Sequence, residues 1–211
     1  MPIEQTEPKK KYWEKIRELE MTKFPEFKNI EVYTPPDTKE YFYFSPSWYF
    51  HAGMITEADV KDLIRKDSKI LSVGSGPAFL ERMLADLGIK KENIILSDIN
   101  EAVLPKNFKY FVFDMYGKWN IPEQEKYDLI IFPESTFLHE RYEDDIEKEK
   151  ALYGLISEAL KHLKSGGEIR ITHNFAEIDK YIQSVRERLT RESNGVQFIE
   201  NNKRVLTVKM I

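Results

Sequence analysis

Ile70-Leu71-Ser72-Val73-Gly74-Ser75-Gly76-Pro77-Ala78-Phe79-Leu80-Glu81 reads ILSVGSGPAFLE, and its three parts decide the fold. Ile70 to Val73 is a short, mostly apolar run that suits a buried strand. Two glycines and a proline follow, and they punctuate the chain as a tight turn. Beyond them, residues 78–87 place Phe79, Leu80, Met83, Leu84 and Leu87 on one helical face, and Gly88 ends the helix. Pro77 is tolerated beside the helix start because its missing N–H would have no helical partner there. A strand, a glycine turn and a helix in this order open a doubly wound sheet.

The rest of the chain continues the alternation. Asn93 to Ser97, Lys109 to Phe113 and Tyr127 to Phe132 read as three more strands. A long helix is expected over 145–164, with Leu152, Leu155, Ile156, Ala159, Leu160 and Leu163 on one face and Gly166-Gly167 as its end. Glu168 to Thr172 reads as a fifth strand and Ala176 to Leu189 as a helix. Val196 to Ile199 and Arg204 to Met210 close the chain as strands with no helix between them, so they should pair as an antiparallel hairpin. The fold class is therefore α/β: a doubly wound, seven-stranded, mostly parallel sheet with an antiparallel C-terminal hairpin. Upstream, Tyr12 to Phe24 suits a helix stopped by Pro25, and 34–37 suits a loop. The aromatic stretch YFYFSPSWYFHAGM spans 41–54, and Thr56 suits the N-cap of a helix that runs to about Arg65. This divides the chain into an N-terminal cap over 1–56 and a sheet domain over 57–211.

Composition removes several function classes. The 211 residues contain 0 cysteines, which excludes disulfides, thiolate metal sites and a cysteine nucleophile. With 4 histidines and no HExxH-type spacing, no metal site is expected. A net charge of −4 disfavours a nucleic-acid partner, and Lys9-Lys10-Lys11 reads as a solvated end. No apolar run approaches the roughly 20 residues of a membrane span, and the N-terminus has no apolar signal region, so a cytoplasmic location with no membrane partner is expected. The cysteine-free, Lys- and Glu-rich composition leans toward a thermophile source.

The turn narrows the ligand. A dinucleotide fingerprint GxGxxG counted from Gly74 needs a third glycine at 79, which is Phe79, and a bulky aromatic there opposes a pyrophosphate. No GK[ST] follows, so the turn is no phosphate loop, and it suits a carboxylate and a nucleoside better. Asp98 ends the second strand, and a carboxylate there accepts two ribose hydroxyls. Asp114 ends the third strand in the same manner, where it suits an adenine amino group. Ile99 and Met115 offer apolar surface to the ring. Read separately, the glycines make only a tight turn and the two aspartates only cap helices. Three such features at consecutive strand ends favour a site.

The ordered series LSVGSGPAF, ILSDIN, FVFDM, YDLIIFPEST and LKSGGEIRIT resembles the class I S-adenosylmethionine-dependent methyltransferases, over roughly 57–211. The resemblance implies S-adenosyl-L-methionine as cofactor. Gly74, Ser75 and Gly76 would hold its methionine part, Asp98 its ribose and Asp114 its adenine, with Ile99 or Met115 against the ring faces. Pro133 would border the transferable methyl. Two departures stand out: Ala78 replaces the third glycine of GxGxG, and Ser165 replaces the proline of LKPGG. The acceptor side is less legible. PEST stands where amine methyltransferases of nucleic acids carry [DN]PP[YF], so a small-molecule acceptor is favoured, and a homo-oligomer is compatible with everything read so far. Glu134, His139 and His173 are the candidate catalytic residues, as acceptor-orienting groups or bases. Trp48, Tyr49 and Phe50 either lie over the cofactor as a lid or pack on the sheet as core. Two alternatives share the fold: an aminopropyl or aminocarboxypropyl transferase, and a non-catalytic member that only binds the cofactor.

Overall fold

The computed structural model describes residues 11–27, 32–33, 43–133, 142–172, 175–192, 195–202 and 205–211. Two short strands, β1 (Val32–Tyr33) and β2 (Tyr43–Phe44), form an antiparallel ribbon. The seven strands that follow make one sheet. They are β3 (Ile70–Val73), β4 (Ile94–Asp98), β5 (Lys109–Val112), β6 (Tyr127–Phe132), β7 (Leu163–Thr172), β8 (Val196–Asn202) and β9 (Val205–Met210), in the order β5-β4-β3-β6-β7-β9-β8. β3 to β7 run parallel, and β9 is antiparallel to both β7 and β8. The expected parallel sheet with an antiparallel closing hairpin is the architecture of the molecule.

Strand alternation explains why both faces are covered. Ile70, Ile94, Leu96, Leu129 and Ile131 point to one face, and Leu71, Val73, Ile95, Ile130, Phe132, Ile169 and Ile171 to the other. The first face is covered by α1 (Tyr12–Lys23), α2 (Pro46–His51), α3 (Glu57–Arg65) and α4 (Phe79–Asp86). The second is covered by α5 (Asp145–Lys161), with α6 (Phe175–Glu192) beside it. Each fully buried Leu or Ile contributes about 1.5–3 kcal/mol, so strands apolar on both sides must be covered on both.

The N-terminal elements share the core of the first face. Ile16, Phe24, Phe27, Tyr49, Phe50, Met54 and Ile55 are all buried in the cluster that holds the sheet residues. Glu20 is fully buried on α1, and its Oε2 accepts the Ser47 N–H at 2.7 Å, which caps α2; Arg17 pairs with its other oxygen. α3 starts as expected at Thr56, whose hydroxyl accepts from the Asp59 N–H at 3.2 Å while Asp59 Oδ2 accepts from the Thr56 N–H at 2.8 Å. The same Asp59 meets Arg170 of β7 with two bonds of 2.8 Å, and Arg170 also reaches Glu168 and the Met54 carbonyl. Burial alone would raise the Asp59 carboxyl, but Arg170 and Thr56 together hold it below the usual range.

The long helix ends earlier than its periodicity suggests. α5 stops at Lys161, and Leu163 is already in β7, paired with Tyr127. The Tyr127 N–H donates to the His162 carbonyl at 2.9 Å, and regular pairing resumes at Leu129 and Glu168 beyond an irregularity. Gly166-Gly167 lies inside that irregular stretch of strand and does not cap the helix. Gly166 has φ +76°, and a Cβ on Gly167 would sit 2.9 Å from the Lys164 carbonyl oxygen.

Candidate functional site

The carboxyl ends of β3, β4, β5 and β6 lie side by side. Val73 is level with Ser97, Asp98 with Val112, and Ser72 with Ile131. Gly74, Asp98 and Pro133 therefore reach the same edge on three adjacent strands, and Asp114 lies two residues past Val112 on the fourth. β3 sits where the direction of winding reverses, the position where ligands bind in such sheets.

The turn after β3 is an unusual backbone. Gly74, Gly76 and Ala78 all take positive φ, at +71°, +51° and +59°. Ala78 occupies the left-handed region without being glycine, and it is also the N-cap of α4. The departure from GxGxG is thus conformationally silent: the third position keeps the backbone of a glycine, at a cost of about 1–2 kcal/mol.

The amides of the turn are committed to the protein itself. Gly74 N–H and Ser75 N–H both donate to the Ser97 carbonyl, at 2.8 and 2.9 Å. Gly76 N–H donates to Asp98 Oδ2 at 3.0 Å, Ala78 N–H to the Ser75 carbonyl at 2.9 Å, and residue 77 is proline. A turn that cradles a pyrophosphate presents such amides to it. This one cannot, which gives a firmer reason against a dinucleotide than Phe79, and for the same reason these amides are not offered to a carboxylate, contrary to the expectation from the sequence. The Phe79 ring is buried and packs edge-on against Phe27 and Phe24, at 4.8 and 6.0 Å between centroids. Its bulk docks the N-terminal segment onto α4. Arg82 lies over the Phe24 ring at 4.8 Å and completes that contact.

Asp98 clamps the turn. Its Oδ1 accepts the Asn100 N–H at 2.9 Å, while Oδ2 holds Gly76. Burial raises its carboxyl above the usual range despite these amides. The Ile99 N–H also bears on this carboxylate, which keeps acceptor capacity for a further donor. Ile99, the next residue, is 62% exposed, an apolar side chain uncovered at the strand end. Asp114 is half-buried, and its Oδ1 accepts the Tyr116 N–H at 3.0 Å. Met115 is half-buried too, and its carbonyl accepts the Trp119 indole N–H at 3.0 Å. Pro133 is half-buried at the end of β6. The hydroxyl of Ser75 faces inward, donating to the Ser97 carbonyl at 3.3 Å, so this residue serves the turn's shape.

Below the turn lies a polar group that sequence reading passed over. Glu81, in the first turn of α4, is completely buried and accepts a short hydrogen bond from the Ser72 hydroxyl. Burial, opposed only by Ser72 and its own backbone N–H, pushes its carboxyl up to about 7. The available signal was its position: Glu81 interrupts the apolar face made by Phe79, Leu80, Met83 and Leu84.

Glu134, His139 and His173 lie outside the described residues. In the aromatic stretch, Tyr49 and Phe50 are buried in the core, and half-buried Trp48 packs on Phe44 and Tyr49 at 4.6 and 5.3 Å. No group of ligating side chains suited to a metal occurs among the described residues, and no described helix is long and apolar enough to cross a membrane.

No protein-family model and no curated protein matches the chain in sequence. Solved structures do match in fold. The ribosomal protein L11 methylase of Lactobacillus delbrueckii subsp. bulgaricus superposes with a TM-score of 0.51 at 15% identity, over 79% of this chain and 80% of that one. A SAM-dependent methyltransferase described as putative from Streptococcus mutans gives 0.49 at 18% identity, over 72% of this chain and 48% of that one. The N-methyltransferase NodS of Bradyrhizobium japonicum WM9 gives 0.46 at 13% identity, over 72% and 92%. The strand order, the closing hairpin and the first of these superpositions agree: the chain has the fold of the class I S-adenosylmethionine-dependent methyltransferases.

Proposed function

We propose that this chain binds S-adenosyl-L-methionine at the β3–β4–β5 edge and transfers its methyl group to a small-molecule acceptor. The observation that carries the reading is the turn itself. Its amides are used internally, so what it has left for a ligand is carbonyl oxygens and the Asp98 carboxylate, an acceptor-rich surface suited to an ammonium, a sulfonium and ribose hydroxyls. Asp98 accepts from the ribose hydroxyls, Ile99 and Met115 flank the adenine, and Asp114 accepts from the adenine amino group. Pro133 borders the methyl, and Glu134, His139 and His173 are the groups proposed to orient or deprotonate the acceptor. When bound, the cofactor supplies an electrophilic methyl, so the chain's task is mainly positioning. The small-molecule preference rests on 36 acidic against 32 basic side chains and on PEST after β6, neither of which suits a polyanionic acceptor.

The test is incubation with methyl-labelled cofactor and a panel of acceptors, with the products identified. S-adenosylhomocysteine together with a labelled small molecule supports the proposal. Methylthioadenosine would instead indicate aminopropyl or aminocarboxypropyl transfer, and label in RNA or protein alone would overturn the acceptor class.

A further inference from the structure

The most buried ionisable group next to the turn has no role in the account above. Glu81 sits beneath the turn in a closed polar cluster. Ser72 donates to its Oε1; the Ser72 carbonyl accepts the Ser97 hydroxyl at 3.3 Å; and the Ser97 carbonyl accepts both the Gly74 and Ser75 amides and the Ser75 hydroxyl. Every link is buried or within the turn, so Glu81 connects to the turn's backbone through two serines and no solvent.

We propose that Glu81 is a positioning residue that senses the charge held by the turn, releasing its proton to solvent when a cationic ligand binds above it. This rests on the reading of the site as one for S-adenosylmethionine, whose sulfonium, ammonium and carboxylate sum to one positive charge. The geometry supplies the coupling: a carboxyl shut off from water, close under the turn, with no cationic side chain bonded to it among the described residues. Other charged groups nearby are already committed. Arg82 lies over aromatic rings, Asp86 pairs with Lys23, and Glu20 is held by Arg17 and Ser47. Asp59 is held by Arg170, and Asp98 is held by turn amides; on α2, exposed His51 meets Trp13 edge-on. The strands on either side of β3 place Ile94, Leu96, Leu129 and Ile131 on this face. A unit positive charge about 10 Å away shifts the ionisation of a poorly solvated carboxyl about tenfold. With the free carboxyl near 7, the balance is set close to neutrality, where the shift changes occupancy.

The consequence is proton-linked binding. Calorimetric titration of S-adenosylmethionine into the full chain at pH 6.5, in two buffers of different ionisation enthalpy, should report release of about half a proton per cofactor bound. Between pH 5 and 6.5 the affinity should rise about threefold, a range chosen below the titration of the ligand's amino group. Glu81→Gln, which keeps the size and a hydrogen-bonding partner for Ser72, should bind with the weaker affinity at both pH values and release no proton. Equal enthalpies in the two buffers with wild-type protein, or the same proton release from Glu81→Gln, overturn the inference even though the cofactor binds. Absence of binding at every pH overturns the cofactor reading itself, so the two failures are distinct. The wild-type buffer comparison needs no variant and stands if Glu81→Gln fails to fold.

Discussion

Ala78 and Glu81, three residues apart, hold the two departures that matter most. Ala78 takes the backbone of the glycine it replaces, so the missing letter in the motif costs conformational energy and leaves the turn intact. Gly74 at φ +71° should tolerate the same change less well than a neutral site: Gly74→Ala is expected to lower stability by about 1–2 kcal/mol in urea denaturation. Glu81 makes a pH prediction for the free protein. Its folded value, about 7, lies above its ordinary value of 4.5, so its contribution to stability is fully present below about pH 4.5 and is lost as pH rises through about 7. The loss is about 3 kcal/mol at most. Thermal denaturation between pH 5 and 8.5 should show this decline in wild type and a flatter profile in Glu81→Gln; parallel profiles would mean that Glu81 is not the titrating group. Sequence reading located Asp98 and Asp114 because strand ends are countable. It missed Glu81 because burial of a carboxyl inside an amphipathic helix follows from packing, which a one-dimensional pattern does not carry.

At the scale of elements, the N-terminal helices belong to the core of the sheet's first face. Phe79 joins them to α4 through Phe24 and Phe27, and Glu20 joins α1 to α2. Phe79→Ala should cost about 3–5 kcal/mol, as expected for truncating a buried aromatic. Glu20→Ala leaves the buried Ser47 N–H without its acceptor and should cost about 1–3 kcal/mol. Chemical denaturation measures both, and a loss below 0.5 kcal/mol for Phe79→Ala would contradict the docking described here. The strands, the helix after the turn and the Thr56 cap were all legible, since period-2 and period-3.6 patterns and capping residues act locally. The end of α5 was not. Leu163 continues the helical pattern, but its pairing with Tyr127 draws it into β7, a tertiary effect that overrides the local signal.

Across the whole molecule, one sheet with two apolar faces and a buried Asp59–Arg170–Glu168 group ties the N-terminal segment to the C-terminal half. Unfolding should therefore be a single cooperative event. Trp13 and Trp48 report on the N-terminal elements and Trp119 on the opposite face, so single-tryptophan variants should show coincident fluorescence midpoints. An earlier transition for Trp13 or Trp48 would mean that the N-terminal segment unfolds independently. The fold, and the strand ends where the cofactor is proposed to bind, could be read from residues 70–133 because the motifs stand at ordered strand ends. The acceptor side could not, since its candidate residues, Glu134, His139 and His173, share no spacing that fixes their chemistry.

The claim on which the functional account depends is that S-adenosylmethionine is held against Asp98. Isothermal titration of S-adenosylmethionine into wild-type protein and Asp98→Ala tests it most directly. The expected result is one cofactor per chain for wild type and a loss of about 3 kcal/mol, roughly a hundredfold in affinity, for the variant, since two charge-assisted hydrogen bonds and the clamp on Gly76 go together. No binding by the wild-type protein, or equal affinity for both proteins, would contradict it.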